Sequence, residues 1–147
     1  MATKVKINLG NMAKVTKNVR AAAVEGVEIV TEDFIRTSSE AAPKDKGVLE
    51  DSHSSSAAWV GSEYVSTVDY SVTEENGQNG FNYAEWIHED QDYNLGPNSE
   101  QKASAGGATG MSGNTYDVDR KFMTRVIEGE AETYQRVIGE LVGEACK

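Results

Sequence analysis

Cysteine is nearly missing from this chain: Cys146, one residue from the end, is the single one among 147 residues. That excludes an internal disulfide framework, fits a reducing compartment, and makes a thiol nucleophile a poor expectation. Bulky apolar residues are also few, with three Phe and two Trp in a chain that is 38% hydrophobic. A subunit that completes its core by oligomerising tolerates so lean a composition, and so does a hydrated α+β monomer. No apolar run reaches membrane-spanning length and no hydrophobic signal core opens the chain, so no membrane partner and a cytosolic start are expected. Gly-rich phosphate loops followed by Lys, and dinucleotide fingerprints after a strand, are absent too. Gly106-Gly107-Ala108-Thr109-Gly110 reads as low-complexity loop.

Positive charge is scarce in the middle. Net charge is −10, yet residues 1–20 hold Lys4, Lys6, Lys14, Lys17 and Arg20 and no acid. The other residues hold 9 bases against 24 acids, and from Asp69 to Asp92 there are seven acids and no Lys or Arg. Such a body is a poor ligand for nucleic acid, because neutralising phosphates needs Lys and Arg. It suits a surface that DNA passes without sticking, or simple solubility. The basic start against the acidic remainder also permits subunit-to-subunit complementarity, which salt would weaken.

What is present reads as one domain, 1–147, of α+β class. Long N- and C-terminal helices should pack on an antiparallel sheet of three to four strands, with a long flexible loop. Residues 1–11 are a strand or arm, since Lys4-Val5-Lys6-Ile7-Asn8-Leu9 alternates polar and apolar. Residues 12–42 are a helix whose apolar stripe runs through Val15, Val19, Ala23, Val27, Val30 and Phe34. Gly26 within it marks a close contact or a bend. Pro43 ends the helix near Ala42, and Asp45 and Gly47 supply turn chemistry, so Leu49 is the first side chain to return to the core. Residues 43–93 are assigned to the sheet: a weak strand or edge at 53–61, a better one at 64–72, Asn-Gly turns, and a third strand from Phe81 to Glu89. Tyr64, Ser66, Val68, Tyr70 and Val72 share one face of the second strand. Residues 94–116, rich in Gly, Ser and Asn, are the flexible loop. Residues 117–147 are the second helix, with Asp117 or Asp119 near its start and Phe122, Val126, Tyr134, Ile138 and Leu141 on its stripe.

One constellation has metal-ligand chemistry: His88, Glu89 and Asp90 with a distant His53. On a strand His88 and Glu89 point to opposite faces, so a solvated strand end is the better account and no metal is assigned. Tyr64, Tyr70, Phe81, Tyr83 and Trp86 lack the interleaved Lys or Arg of a base-stacking platform and read as sheet core or interface.

Two stretches carry a resemblance. Ala42-Pro43-Lys44-Asp45-Lys46-Gly47-Val48-Leu49-Glu50-Asp51-Ser52, then Tyr83-Ala84-Glu85-Trp86-Ile87-His88-Glu89, resemble the tail-completion, head–tail joining and minor capsid family of tailed bacteriophages. The shared pattern is Ala-Pro-x-Asp-x-Gly-x-Leu-x-x-Ser after a helix, then Tyr-Ala-x-aromatic-Ile-x-Glu. Lys46 replaces a small hydroxyl residue, Asp90 stands where a Gly is usual, and the signature opening the last helix is reduced to Lys121-Phe122-Met123. The resemblance implies a virion protein without catalysis or cofactor, assembled in the host cytoplasm, acting as a homo-oligomeric ring, with a hexamer favoured. Other neck or tail proteins would be its partners. Pro43, Asp45, Gly47, Leu49, Ser52, Tyr83, Ala84, Trp86 and Glu89 would organise the fold. Lys4 and Lys6 in the arm, and Gly96, Gly106, Gly107 and Gly110 in the loop, would make the oligomer contacts. The alternatives are a minor capsid protein of the same fold, a small metal-dependent enzyme using His53, His88, Glu89 and Asp90, or an acidic α+β domain of other role.

Overall fold

The computed structural model describes residues 1–8, 17–44, 48–72, 83–89 and 96–147. Asp45, Gly47, the helix start at 12–16, the Asn-Gly turns, Phe81, Asp90 and the side chain of Tyr83 lie outside them. The elements run β1 (Ala2–Asn8), α1 (Lys17–Ala41), β2 (His53–Val60), β3 (Glu63–Tyr70), α2 (Tyr83–Glu89), α3 (Gly96–Ser104), β4 (Ala108–Thr109), β5 (Thr115–Tyr116) and α4 (Phe122–Ala145). The fold is α+β: long N- and C-terminal helices on a small antiparallel sheet, with a second two-stranded sheet.

The stripe read on α1 is the buried one, with Val19, Ala23, Val27, Val30 and Phe34 all inside. It meets Phe122, Val126, Tyr134 and Ile138 of α4 on one side and Tyr64, Val68 and Tyr70 of β3 on the other. Each such large side chain contributes about 1.5–3 kcal/mol through removal from water. Gly26 is a close contact: a β-carbon there would stand 3.1 Å from Ile138 Cα, so its absence sets how near the two helices come. Polar bonds fix β3 on α1. The Tyr70 hydroxyl lies 2.8 Å from both Ser38 Oγ and Ser39 Oγ, and Thr31 Oγ1 donates to Ser66 Oγ at 3.0 Å.

The main sheet runs β1-β3-β2, antiparallel throughout, with Val5 opposite Ser66 and Ala57 on the other side of that residue. The 64–70 face alternation reads correctly, since Tyr64, Ser66, Val68 and Tyr70 are buried and their neighbours are not. The third strand of the sheet is β1, and the described part of the stretch expected as a strand, Tyr83–Glu89, is not in it. Tyr83–Glu89 is the helix α2, because Ala84, Ile87 and His88, three and four residues apart, bury one helical face against the core.

Within the stretch expected as a flexible loop, 94–116, the described residues from Gly96 onward form regular elements. Pro97 sits in the first turn of α3, where its missing N–H is no loss, and a β4–β5 hairpin follows. Gly107 holds the entry to that hairpin at φ +67, and a β-carbon there would meet the Tyr116 carbonyl oxygen at 2.6 Å. The last helix starts at Phe122, later than 117. The Asp119 N–H is spent on the Ala41 carbonyl at 3.1 Å, and Lys121, at φ 52, donates its N–H to the His88 carbonyl. Neither Asp117 nor Asp119 therefore lies in the helix.

Two glycine substitutions should move stability in opposite directions. Gly107→Ala is expected to cost about 2 kcal/mol or more, from strain at positive φ and the carbonyl clash. Gly139→Ala, in mid-helix with nothing within 4 Å of the new methyl, should gain about 0.5–1 kcal/mol. Urea unfolding of both variants checks the signs.

Candidate assembly interface

Of the corner motif, Pro43, Leu49 and Ser52 are described, and Pro43 is buried at the bend that ends α1. Leu49 is buried in the core, and Ser52 closes the turn by donating both N–H and Oγ to the Leu49 carbonyl, at 3.1 and 2.8 Å. The bend is clamped from α3. Lys102 Nζ donates to the Ser39 and Ala42 carbonyls at 2.8 and 2.7 Å and to Glu50 Oε2 at 2.5 Å. A cation thus sits on the orphan carbonyls at the negative end of α1. Ser99 Oγ donates to the Lys44 carbonyl and accepts the Lys44 N–H, at 3.1 and 2.8 Å. Burial alone would raise the Glu50 pKa, but the Lys102 bond and the Lys44 and Lys102 charges outweigh it and hold it below the usual value.

Ala84 of the second motif is buried, Trp86 is partly buried against the core, and Glu89 is exposed. On a helix His88 and Glu89 are neighbours, and His88 Nδ1 donates to Glu89 Oε1 at 2.8 Å. His53 is not with them. Three successive ring contacts, His53–Tyr70 at 6.0 Å, Tyr70–Phe122 at 5.2 Å and Phe122–His88 at 5.3 Å, place the two histidines at opposite ends of an aromatic row. Among the described residues, no three His, Cys, Asp or Glu side chains come together as a metal set.

A buried carboxylate that the sequence reading missed holds the hairpin. Glu130, fully buried, accepts from Ser112 N at 2.9 Å, Ser112 Oγ at 2.6 Å and the Tyr116 hydroxyl at 2.7 Å. Asp33 accepts the Tyr134 hydroxyl at 2.8 Å and Met111 N at 3.2 Å, while Arg36 bridges Asp33 to the Thr109 carbonyl. The signal was its place on the α4 stripe, four residues from Val126 and four from Tyr134. Gly110 lies directly beneath Glu130, as Gly107 lies against the Tyr116 carbonyl, so both make close contacts within the chain.

The outward-facing features gather elsewhere. All eight residues of β2 are exposed, including Trp59 and Val60 at the end of the β2–β3 hairpin. Arg20 lies 5.3 Å over the Trp59 ring, whose other neighbour is Tyr64 at 5.3 Å. Lys4 and Lys6 are exposed on β1, with Lys6 3.5 Å from Glu63. Gly96, at φ 78, opens α3, and Gly106, at φ 116, follows it. A groove of about 240 Å³ runs between β2 and α1, and one of about 260 Å³ between β1 and α4. Among the described residues, no helix is long and apolar enough to cross a membrane. No family model, curated protein or solved structure matches the chain.

Two outcomes follow from the buried groups. Replacing Glu130 with Ala leaves three donors without their acceptor, and should cost about 3 kcal/mol in chemical denaturation, while surface Glu140→Ala stays within about 0.5 kcal/mol. Burial lowers the His88 pKa, against the opposing pull of Glu89, so its NMR titration midpoint should fall below 6.5. Since the folded state then binds the proton less well than the unfolded state, His88 contributes stability above pH 6.5 that is lost as pH falls toward its folded midpoint.

Proposed function

We propose that this protein is a structural subunit of a tailed-phage virion, a tail-completion or head–tail joining component that acts by forming a homo-oligomeric ring. The observation that supports this most is β2: eight exposed residues at the rim of a sheet, ending in Trp59 and Val60, with Val60 64% exposed. Sheet rims of this kind are sites of chain-to-chain pairing, and apolar groups held outward on a braced hairpin favour a protein partner.

The motif residues support the same reading. Pro43, Leu49, Ser52 and Ala84 do packing work, which suits residues that set a subunit's shape. The acidic body, with no base between Asp69 and Asp92, suits a passage for DNA that must not adhere. A hexamer is the favoured ring, and other neck or tail proteins would lie above and below it.

Light scattering on a sizing column tests the reading. At low salt the protein should run as one discrete oligomer, near six times the 15.9 kDa subunit, and should loosen as salt screens its exposed charges. Val60→Asp should shift the mass toward the monomer while changing stability by no more than about 0.5 kcal/mol. A monomer at every concentration and salt would defeat the ring.

A further inference from the structure

We infer that copies of this chain join head to tail along their sheets, the β2 edge of one protomer lying against the β1 edge of the next. The inference rests on the proposed self-assembly and names the surfaces that carry it.

Among the described residues, β1 and β2 are the two rims of the main sheet, and they differ in kind. From Ser54 to Val60, β2 has no charged residue and no proline, the usual means of discouraging a strand from pairing. Its small side chains, Ser54, Ser56 and Ala58 on the solvent face and Ser55 and Ala57 on the helix face, leave room for another backbone. The groove beside it is rimmed by Glu28 and Glu32 of α1, both exposed. The opposite rim carries exposed Lys4 and Lys6, and its groove has Val5, Ile127 and Ile138 in its walls.

Unlike charge therefore flanks opposite rims of one sheet. A two-fold pairing of β2 with β2 brings four glutamates to one seam, and a two-fold pairing of β1 with β1 gathers four lysines. Head-to-tail pairing alone brings unlike charge to one seam, the lysines from the solvent face of the sheet and the glutamates from α1 on its helix side. It is also the heterologous arrangement that closes into a ring when the rotation fits. Strand direction agrees. β1 and β2 are each antiparallel to β3, hence parallel to one another, so a neighbour related by simple rotation presents its β1 parallel to β2. Main-chain bonds would supply affinity and the charged rims the choice of partner.

Cysteine pairing decides it. In a Cys146→Ser background, Lys4→Cys and Ser56→Cys both lie on the solvent face of the sheet, opposite the same β3 residue, Thr67. Under mild oxidation the double variant should give a ladder of covalent oligomers, and neither single variant should. A Ser56→Cys single variant that cross-links as fully as the double one would replace head-to-tail with two-fold pairing. No ladder, in a protein that light scattering still finds oligomeric, would overturn these edges and leave the ring standing. A monomer by light scattering would overturn both. As a second arm, Glu28→Lys with Glu32→Lys should weaken assembly roughly tenfold, and adding Lys4→Glu with Lys6→Glu should restore it. Assembly unchanged by the first pair would count against the charged rims.

Discussion

A helix that ends inside a protein leaves its last carbonyls without partners, and in this chain the answer to that problem shapes everything downstream. The C-terminus of α1 is met by Lys102 on the Ser39 and Ala42 carbonyls and by the Asp119 N–H on that of Ala41. Those donors come from α3 and from the approach to α4, some 60 and 78 positions later in sequence. Segments distant in sequence thus close on the end of α1, and Leu49, beyond it, is buried in the core. A lysine whose ammonium serves two carbonyls and one carboxylate gains from charge in all three, since each acceptor is a negative pole.

Much of this was legible in the residues. The α1 stripe, its end before Pro43, the faces of β3 and the α4 stripe follow from spacing alone, because each buries one side against a flat or grooved neighbour. What was not legible depended on partners far away in sequence. Tyr83–Glu89 follows two Asn-Gly turns, which suits a returning strand, but its Ala84–Ile87–His88 spacing suits a helix, and that face is the buried one. The Gly- and Ser-rich stretch lacks large apolar groups, so it looked unable to order itself. It orders through polar anchors instead: Ser99, Lys102 and Ser112 find carbonyls and carboxylates on α1, the bend and α4. Hydropathy does not register such bonds.

The two halves of the surface have different characters. On the side of the clamp and the hairpin, polar groups are turned inward and tied to one another. On the sheet's rims, small hydroxyl and apolar side chains on β2 and lysines on β1 face outward. The chain is thus tied together by polar bonds on one side and leaves strand edges exposed on the other.

The tyrosines under the carboxylates have an optical consequence. Burial and then Glu130 push the Tyr116 phenol up to about 12, and burial with Asp33 drives Tyr134 higher still. Both rings resist ionising in alkali while the hairpin stays seated, whereas in an opened chain both ionise near 10. Stability is therefore intact below that pH and drains away above it. The near-ultraviolet absorbance of phenolate then becomes a gauge of whether α1, α4 and the hairpin remain together, readable without any label.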